Sequence, residues 1–240
     1  MREFLFRLDA EWKKVGGGFF ALLLVGLPAG VFLVTCAFLL FQRERAARLP
    51  LEMIVTNNLG AWSALLYPLA LIGVVQSLVD VEIQARQLVY LRAFKRRWYD
   101  LFLLKATVAL LAIAILTISN IACNWAVVMV AQRFAAAGDA ASLILQSTLS
   151  FTKFIPVLLP AIFFHLMLAL TIQAGGKTYL VGILLIVAGI PVTNLTDWPV
   201  FPYSFGILVL QPDPPVVTAA AIGVLFLIAC PVLAHYVLRK

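Results

Sequence analysis

The chain has 240 residues, of which 63% are hydrophobic types and 12% are charged, and its formal net charge is +7. A soluble globular domain usually carries about twice that fraction of charged residues, so the composition excludes an ordinary soluble protein and indicates a membrane protein. Because the positive charges flank apolar stretches, they favour anionic lipid headgroups as partners and argue against nucleic acid.

Long apolar stretches recur along the chain, and about 20 consecutive apolar residues are enough for a helix to cross a bilayer. We predict six transmembrane helices, near residues 19–41, 60–79, 101–130, 153–172, 179–192 and 216–238. The apolar runs lack the period-two alternation of a transmembrane barrel. The expected fold is therefore all-α and polytopic, with residues 1–240 forming a single transmembrane domain.

An amphipathic helix is predicted before the first span. Its apolar residues recur at helical spacing, with charged residues on the other faces; they are Phe4, Leu5, Leu8, Trp12 and Val15. We expect this helix to lie at the inner membrane interface, with Trp12 at headgroup depth. The alternative left open is that these residues are simply the positively charged flank of the first span.

Lys and Arg residues predict the orientation of the chain in the membrane. With a cytoplasmic N-terminus, thirteen of the 18 lie in cytoplasmic segments, and the outer segments hold the remaining five, Arg43, Arg45, Arg48, Arg133 and Lys153. Six spans then return the C-terminus to the cytoplasm.

The longest polar stretch on the cytoplasmic side begins at Asp80 and reaches Lys105. Apolar residues recur within it at roughly helical spacing, and a basic group at residues 95–97 follows them. This pattern predicts a second surface helix over residues 80–99. A solvated, positively charged loop is the alternative.

Few polar residues lie inside the predicted spans. Asn120 and Asn124 are one turn apart in the third span, and buried amides of this kind usually join helices, at about 1 kcal/mol each. His165 lies in the fourth span, where it is either a packing residue or a protonation site. The roles of these three residues stay open, but the absence of carboxylates away from the span ends argues against an ion-driven transporter.

A proline-rich segment separates the last two spans. Residues 193–215 contain five prolines among four aromatic residues, and this density of proline prevents a continuous helix. The segment is nevertheless too apolar for a free loop. It therefore predicts a broken, re-entrant segment in the outer leaflet.

Sequence patterns of membrane enzymes are absent. The chain has no H-E-x-x-H and no G-x-S-x-G, and residues 171–178 (TIQAGGKT) lack the first glycine of a phosphate-binding loop. The three cysteines lie in separate spans and form no C-x-x-C. We therefore predict no catalytic, cofactor-binding or metal-ligating residue, and no enzyme activity in this chain.

Taken in order, three segments resemble the permease subunits of type-2 ABC exporters. Residues 8–14 (LDAEWKK) resemble the family's opening E-x-x-K surface helix, and residues 82–105 resemble its acidic residue, short apolar core, basic turn and lysine. Residues 199–204 (PVFPYS) are similar to its Pro-aromatic segment. The likeness is greatest to the short permeases of bacteriocin and lantibiotic immunity transporters. It covers essentially the whole chain through loose motifs, and residues 93–95 (AFK) replace the proline that the family often places there.

This resemblance implies the partners of the chain. Two permeases, identical or homologous, would pair in a bacterial inner (cytoplasmic) membrane, and two copies of a separate ABC ATPase would dock on their surface helices. ATP and Mg would be bound and hydrolysed by that ATPase, and no cofactor would be bound by this chain. Candidate contacts to the ATPase are Glu82, Arg86, Arg96 and Arg97.

The resemblance also implies the transported molecule and its route. The expected substrate is an amphipathic molecule such as a bacteriocin-like peptide, exported for self-immunity, although the direction of transport stays open. Trp198, Phe201 and Tyr203 would form an outer gate. Two other classes remain as alternatives: a membrane enzyme acting on lipids or isoprenoids, and a membrane assembly protein without transport activity.

Overall fold

The computed structural model describes residues 2–15, 18–84, 95–134, 138–195, 201–203 and 215–238. Within these ranges the regular structure is helical and no β-strand is present, which confirms that the fold is all-α. The helices in chain order are α1 (Arg2–Val15), α2 (Gly18–Ala21), α3 (Leu27–Phe41), α4 (Arg43–Ala46), α5 (Leu51–Ala61), α6 (Tyr67–Gln84), α7 (Lys95–Ala131), α8 (Ala140–Ile172), α9 (Gly175–Leu195) and α10 (Val216–Leu238).

Two of the helical stretches contain a π-helical turn. Leu22–Gly26 joins α2 to α3, and Trp62–Leu66 joins α5 to α6. Such turns insert an extra residue into an α-helix and are frequent at functional sites. Because the helix continues on both sides of this turn, α5 and α6 form one long helix in which the hydrogen-bonding pattern changes at Trp62–Leu66.

In the described part of the chain, five helical stretches are long and apolar enough to cross a membrane: Leu22–Phe41, Leu51–Gln84, Trp98–Ala131, Ala140–Ile172 and Val216–Tyr236. A shorter apolar helix, Gly176–Gly189, lies within α9. The chain is therefore a helical protein built for a membrane. The predicted amphipathic helix before the first span corresponds to α1.

Two helices begin earlier in the chain than the spans predicted for them. The helix predicted at residues 60–79 starts at Leu51, and the one predicted at 153–172 starts at Ala140. Hydropathy marks the apolar part of a helix, whereas local groups set its start. At the start of α8 the side chain of Asp139 accepts a hydrogen bond from the N–H of Ala141 at 3.0 Å. α5 starts directly after Pro50, without a side-chain cap. Lys153 consequently lies inside α8 and does not belong to an outer connecting segment.

The segment predicted as a separate surface helix at residues 80–99 is divided differently. Residues 80–84 form the end of α6, and residues 95–99 form the start of α7. Both ends are continuous with long helices because apolar residues extend the helical pattern beyond the predicted spans. Residues 85–94, between them, lie outside the described residues.

The predicted broken segment also starts later than expected. α9 continues through Pro191 to Leu195, so residues 193–195 are helical. A proline removes one backbone hydrogen bond, but membrane helices tolerate this because neighbouring groups compensate. Residues 201–203 form a bend and a turn, and residues 196–200 and 204–214 lie outside the described residues.

The helices pack around α7 and α8. α3 and α6 contact α7, while α6, α9 and α10 contact α8. An aromatic cluster fills the centre, where the rings of Tyr67 and Phe154 stack at 4.4 Å and Trp62 meets Tyr67 edge-on at 5.2 Å. α10 approaches α8 closely at Gly223, since a Cβ added there would lie 2.5 Å from the Cβ of Leu159. Small residues at such crossings are typical of membrane helix pairs.

Candidate functional site

Four charged side chains meet where α1 and the adjoining ends of α6 and α7 converge. The Nζ atom of Lys105 lies 2.6 Å from Oε2 of Glu11 and 2.9 Å from Oε1 of Glu82. Lys14 Nζ reaches Oε1 of Glu11 at 2.5 Å and Oε1 of Glu82 at 3.2 Å. We call these four residues the ion-pair clamp.

The clamp is closed to solvent on the side of Lys105. The Lys105 side chain is 0% exposed, and those of Glu11 and Glu82 are 5% and 1% exposed. Lys105 also donates to the backbone oxygen of Leu78 at 2.7 Å, so all three hydrogens of its ammonium group have acceptors. A buried ammonium group requires such partners, because isolated charge is very costly in an apolar environment.

The charges in the clamp stabilise one another. Burial by itself would raise the pKa of Glu11, but the attraction of Lys105, with the hydrogen bonds from Lys105 and Lys14, outweighs it and holds that pKa below its usual value. Burial would lower the pKa of Lys14, yet its hydrogen bond to Glu11 and its attraction to Glu82 hold it above the usual value. Glu11 and Lys14 are therefore charged at neutral pH.

The clamp changes the interpretation of the four residues proposed as ATPase contacts. Glu82 was expected to contact the ATPase at the surface, but its side chain is 1% exposed and pairs with lysines of this chain. It lies on the face of α6 that is turned toward α7. Arg96 and Arg97 lie in the first turn of α7. Arg86 lies outside the described residues.

A second site joins the Pro-aromatic segment to α8. The hydroxyl oxygen of Tyr203 lies 2.5 Å from Nδ1 of His165, and both residues are buried. Phe201 packs beside Tyr203 with ring centroids 5.9 Å apart. Of the three expected gate residues, two therefore lie together beside His165, and the third, Trp198, lies outside the described residues.

His165 sits in a tightly packed position. A Cβ added at Gly182 of α9 would lie 2.7 Å from Cε1 of His165 and 2.7 Å from Cδ1 of Ile72. Only glycine leaves room there for the imidazole between α8 and α9. The packing and the Tyr203 hydrogen bond account for a buried histidine without a carboxylate partner within the described residues.

A polar network joins three helices in the interior. Asn58 of α5 donates through Nδ2 to Oδ1 of Asn124 in α7 at 3.0 Å, and Asn124 donates through Nδ2 to the hydroxyl of Ser147 in α8 at 2.8 Å. The neighbouring Asn120 is also buried. Asn124 therefore joins its helix to two others through side-chain hydrogen bonds, as buried amides commonly do in membrane proteins.

Sequence reasoning missed Glu11, Lys105 and Asn58 as members of these sites. Glu11 lies three residues after Leu8 and four before Val15, on the apolar stripe of α1, and Lys105 follows the start of an apolar stretch. The available signal was a charged residue among apolar ones in each helix, because a charged side chain in such a position is usually paired with an opposite charge. Nothing in the sequence showed that these two belong to one another.

Among the described residues, no group of three or more His, Cys, Asp and Glu side chains could hold a metal ion. Cys36, Cys123 and Cys230 are free thiols. Comparisons with protein-family models, with curated proteins and with solved structures find no match to this chain. Fold and site thus define a membrane-embedded helical protein whose N-terminal helix is held to the bundle by buried ion pairs.

Proposed function

We propose that the chain is the membrane-spanning permease subunit of a type-2 ABC exporter that moves an amphipathic substrate, such as a bacteriocin-like peptide. The observation that best supports this proposal is the ion-pair clamp. It joins α1 to the two helices that flank residues 85–94, the centre of the segment that the family resemblance assigns to ATPase binding.

The clamp provides a way to transmit motion. Residues 85–94 leave α6 just after Glu82 and enter α7 ten positions before Lys105. A partner that displaces this connection pulls on both helix ends at once, and α1 moves with them through Glu11. Separating a buried ion pair costs about 3–5 kcal/mol, so the three helix ends move as a unit.

The rest of the proposal rests on the family resemblance and on the distribution of Lys and Arg along the chain. α9 is the sixth span, both termini are cytoplasmic, and the protein resides in a bacterial inner membrane. Two permeases, identical or homologous, pair there, and each binds one ATPase subunit, which carries ATP and Mg. Arg86, Arg96 and Arg97 are the proposed contacts to the ATPase, while Glu82 acts inside the clamp.

The Pro-aromatic segment is the proposed outer gate, with Trp198, Phe201 and Tyr203 as its aromatic side chains. Tyr203 fixes one point of the segment to α8 through His165. Breaking the Tyr203–His165 hydrogen bond does not require a helix to unfold, which suits a gate for a bulky amphipathic substrate.

Co-purification tests the central claim. The full chain is isolated from its native membrane in mild detergent, and ABC ATPase subunits are sought in the eluate. We expect an ATPase in equal amount, with hydrolysis that rises when the complex is returned to lipid. Replacing Arg96 and Arg97 together by Ala should lower that rise, whereas Arg133→Ala, at the other end of α7, should not.

Two results would contradict the proposal. A folded chain that never retains an ATPase would favour an assembly protein, and turnover of a lipid or isoprenoid without an ATPase would favour a membrane enzyme. Orientation is tested separately with single cysteines at position 2 or 240, in a background without the native cysteines. Labelling of either position from outside intact cells would exclude cytoplasmic termini.

A further inference from the structure

An open groove runs between α3 and α5, with a volume of about 910 Å³. This volume lies within the range of pockets that hold small molecules, roughly 300–1,000 Å³. One wall includes Leu27, Gly30 and Val34 of α3, and the other includes Ile54 and Ala61. We call this feature the α3–α5 groove.

The groove is polar at one end and apolar at the other. Arg45, from the short helix α4 that connects the two walls, contributes to its lining, and Asn57 and Asn58 lie further along α5. At the opposite end the lining consists of Leu22, Leu23 and Leu66. Those three leucines belong to the two π-helical turns, so both π turns border the apolar end.

The groove is somewhat longer than the hydrocarbon part of one bilayer leaflet. Thirteen residues separate Met53 from Leu66 along the α5–α6 helix, which is about 20 Å at 1.5 Å per residue. The hydrocarbon part of one leaflet is about 15 Å thick. An acyl chain therefore fits along the groove with its polar end near Arg45.

One amide in the groove is available to donate a hydrogen bond to a ligand. Asn57 is exposed and makes no hydrogen bond within the described residues. An amide N–H without a partner is costly at the depth of a membrane, and the carbonyl oxygen of a phospholipid ester would accept from it. Arg45 is exposed and makes no ion pair within the described residues.

We propose that the α3–α5 groove binds one anionic phospholipid, with its phosphate at Arg45, its ester groups at Asn57, and one acyl chain along the leucine-lined walls. The lipid is a resident ligand, and the site does not depend on the proposed export function. An arginine at the surface, amides below it and an apolar channel beneath follow the order of groups in a phospholipid.

A second copy of the chain fits the groove less well. Two copies with the same membrane orientation are related by an axis along the membrane normal, so identical groups meet at equal depth. The connection between α3 and α5 carries Arg43, Arg45 and Arg48 against a single Glu44. Pairing across this face would bring like charges together, which is unfavourable.

Native mass spectrometry of the full chain tests the proposal. Purified protein in detergent is mixed with equal amounts of phosphatidylglycerol and phosphatidylcholine, and the bound lipid is counted. We expect one phosphatidylglycerol per chain, preferred about fivefold, the contribution of one arginine near an anionic headgroup. Arg45→Gln should remove this preference, whereas Arg133→Gln, exposed outside the groove, should retain it.

Substitutions at two glycines distinguish lipid binding in the groove from lipid binding elsewhere on the protein. A Cβ at Gly30 or at Gly60 meets nothing within 4 Å, but Gly30 lines the groove and Gly60 does not. Both changes to Leu favour the helix, so the fold is preserved. Gly30→Leu should reduce bound lipid at least fivefold, and Gly60→Leu should leave it unchanged.

Three results would overturn the proposal. The first is that all variants bind lipid equally. The second is that Gly30→Leu loses lipid but the wild type shows no preference for phosphatidylglycerol. The third is that Gly30→Leu changes the oligomeric state while its lipid binding is unaltered. The last result would assign the groove to a second copy of the chain.

Discussion

The ammonium group of Lys105 lies 2.6 Å from a carboxylate oxygen of Glu11, although 94 positions separate the two residues in the chain. The contact docks the N-terminal helix on the bundle. An amphipathic helix that only floated at the interface would leave Glu11 in water, whereas here its side chain is 5% exposed. α1 is therefore a structural part of the bundle end from which residues 85–94 emerge.

Lys105→Met should destabilise the protein by about 3 kcal/mol, because it leaves the buried carboxylates of Glu11 and Glu82 without their main partner. Thermal unfolding in detergent, followed by exposure of the buried Cys230 thiol, measures the loss. Lys13→Met is the matched control: its ion pair with Asp9 is largely exposed and should contribute no more than about 0.5 kcal/mol.

A triple variant decides whether unpaired charge is the cause. Adding Glu11→Gln and Glu82→Gln to Lys105→Met removes the orphaned charges, so stability should recover in part relative to the single variant. If the triple variant is less stable than Lys105→Met alone, packing and not charge dominates at the clamp.

Glu11 should contribute to stability above a pH of about 4.5, its unshifted pKa, and this contribution should disappear as the pH falls through the lowered pKa of the folded state. The difference in melting temperature between wild type and Glu11→Gln should therefore be constant from about pH 5 to 8 and shrink below about pH 4. The pKa of Lys14 is raised from 10.5, so its contribution persists up to that pH and is lost only at higher pH. A difference that grows on acidification would contradict this assignment.

Asn124→Leu should destabilise the bundle by about 1–2 kcal/mol, since it breaks the hydrogen bonds to Asn58 and Ser147 and leaves both polar groups buried. Chemical denaturation in mixed micelles gives the value. Gln146→Leu serves as the control, because this exposed amide of α8 makes no side-chain hydrogen bond within the described residues and lies outside the groove, so its loss should cost almost nothing. Equal effects of the two substitutions would show that the network does not stabilise the fold.

Tyr203→Phe should loosen the Pro-aromatic segment, because it removes the hydroxyl that bonds to His165. We expect a loss of about 1 kcal/mol and faster proteolysis within residues 196–214, with Tyr179→Phe, a partly exposed tyrosine, unchanged in both respects. His165→Gln should behave nearly like wild type, since a glutamine oxygen also accepts from Tyr203, and His165→Leu should resemble Tyr203→Phe. Transport abolished by His165→Gln at normal expression would instead indicate a protonation role.

The sequence predicted the class of fold because that information is local. Uninterrupted apolar runs require helices in a membrane, and the spacing of Leu8, Trp12 and Val15 predicted α1. Helix ends were predicted less well. α8 begins at the cap Asp139, and α5 begins directly after Pro50; hydropathy does not record either signal.

The amino-acid sequence by itself determined an all-helical membrane chain with an amphipathic N-terminal helix. Only the tertiary structure decided which polar groups meet: Glu11 with Lys105, Asn58 with Asn124 and His165 with Tyr203, pairs that are 94, 66 and 38 positions apart. Helical periodicity fixes the face of a helix on which a residue lies, but not the helix that faces it. That choice depends on how all the helices pack together, so Glu82, which sequence reasoning placed at a partner's surface, lies inside the clamp.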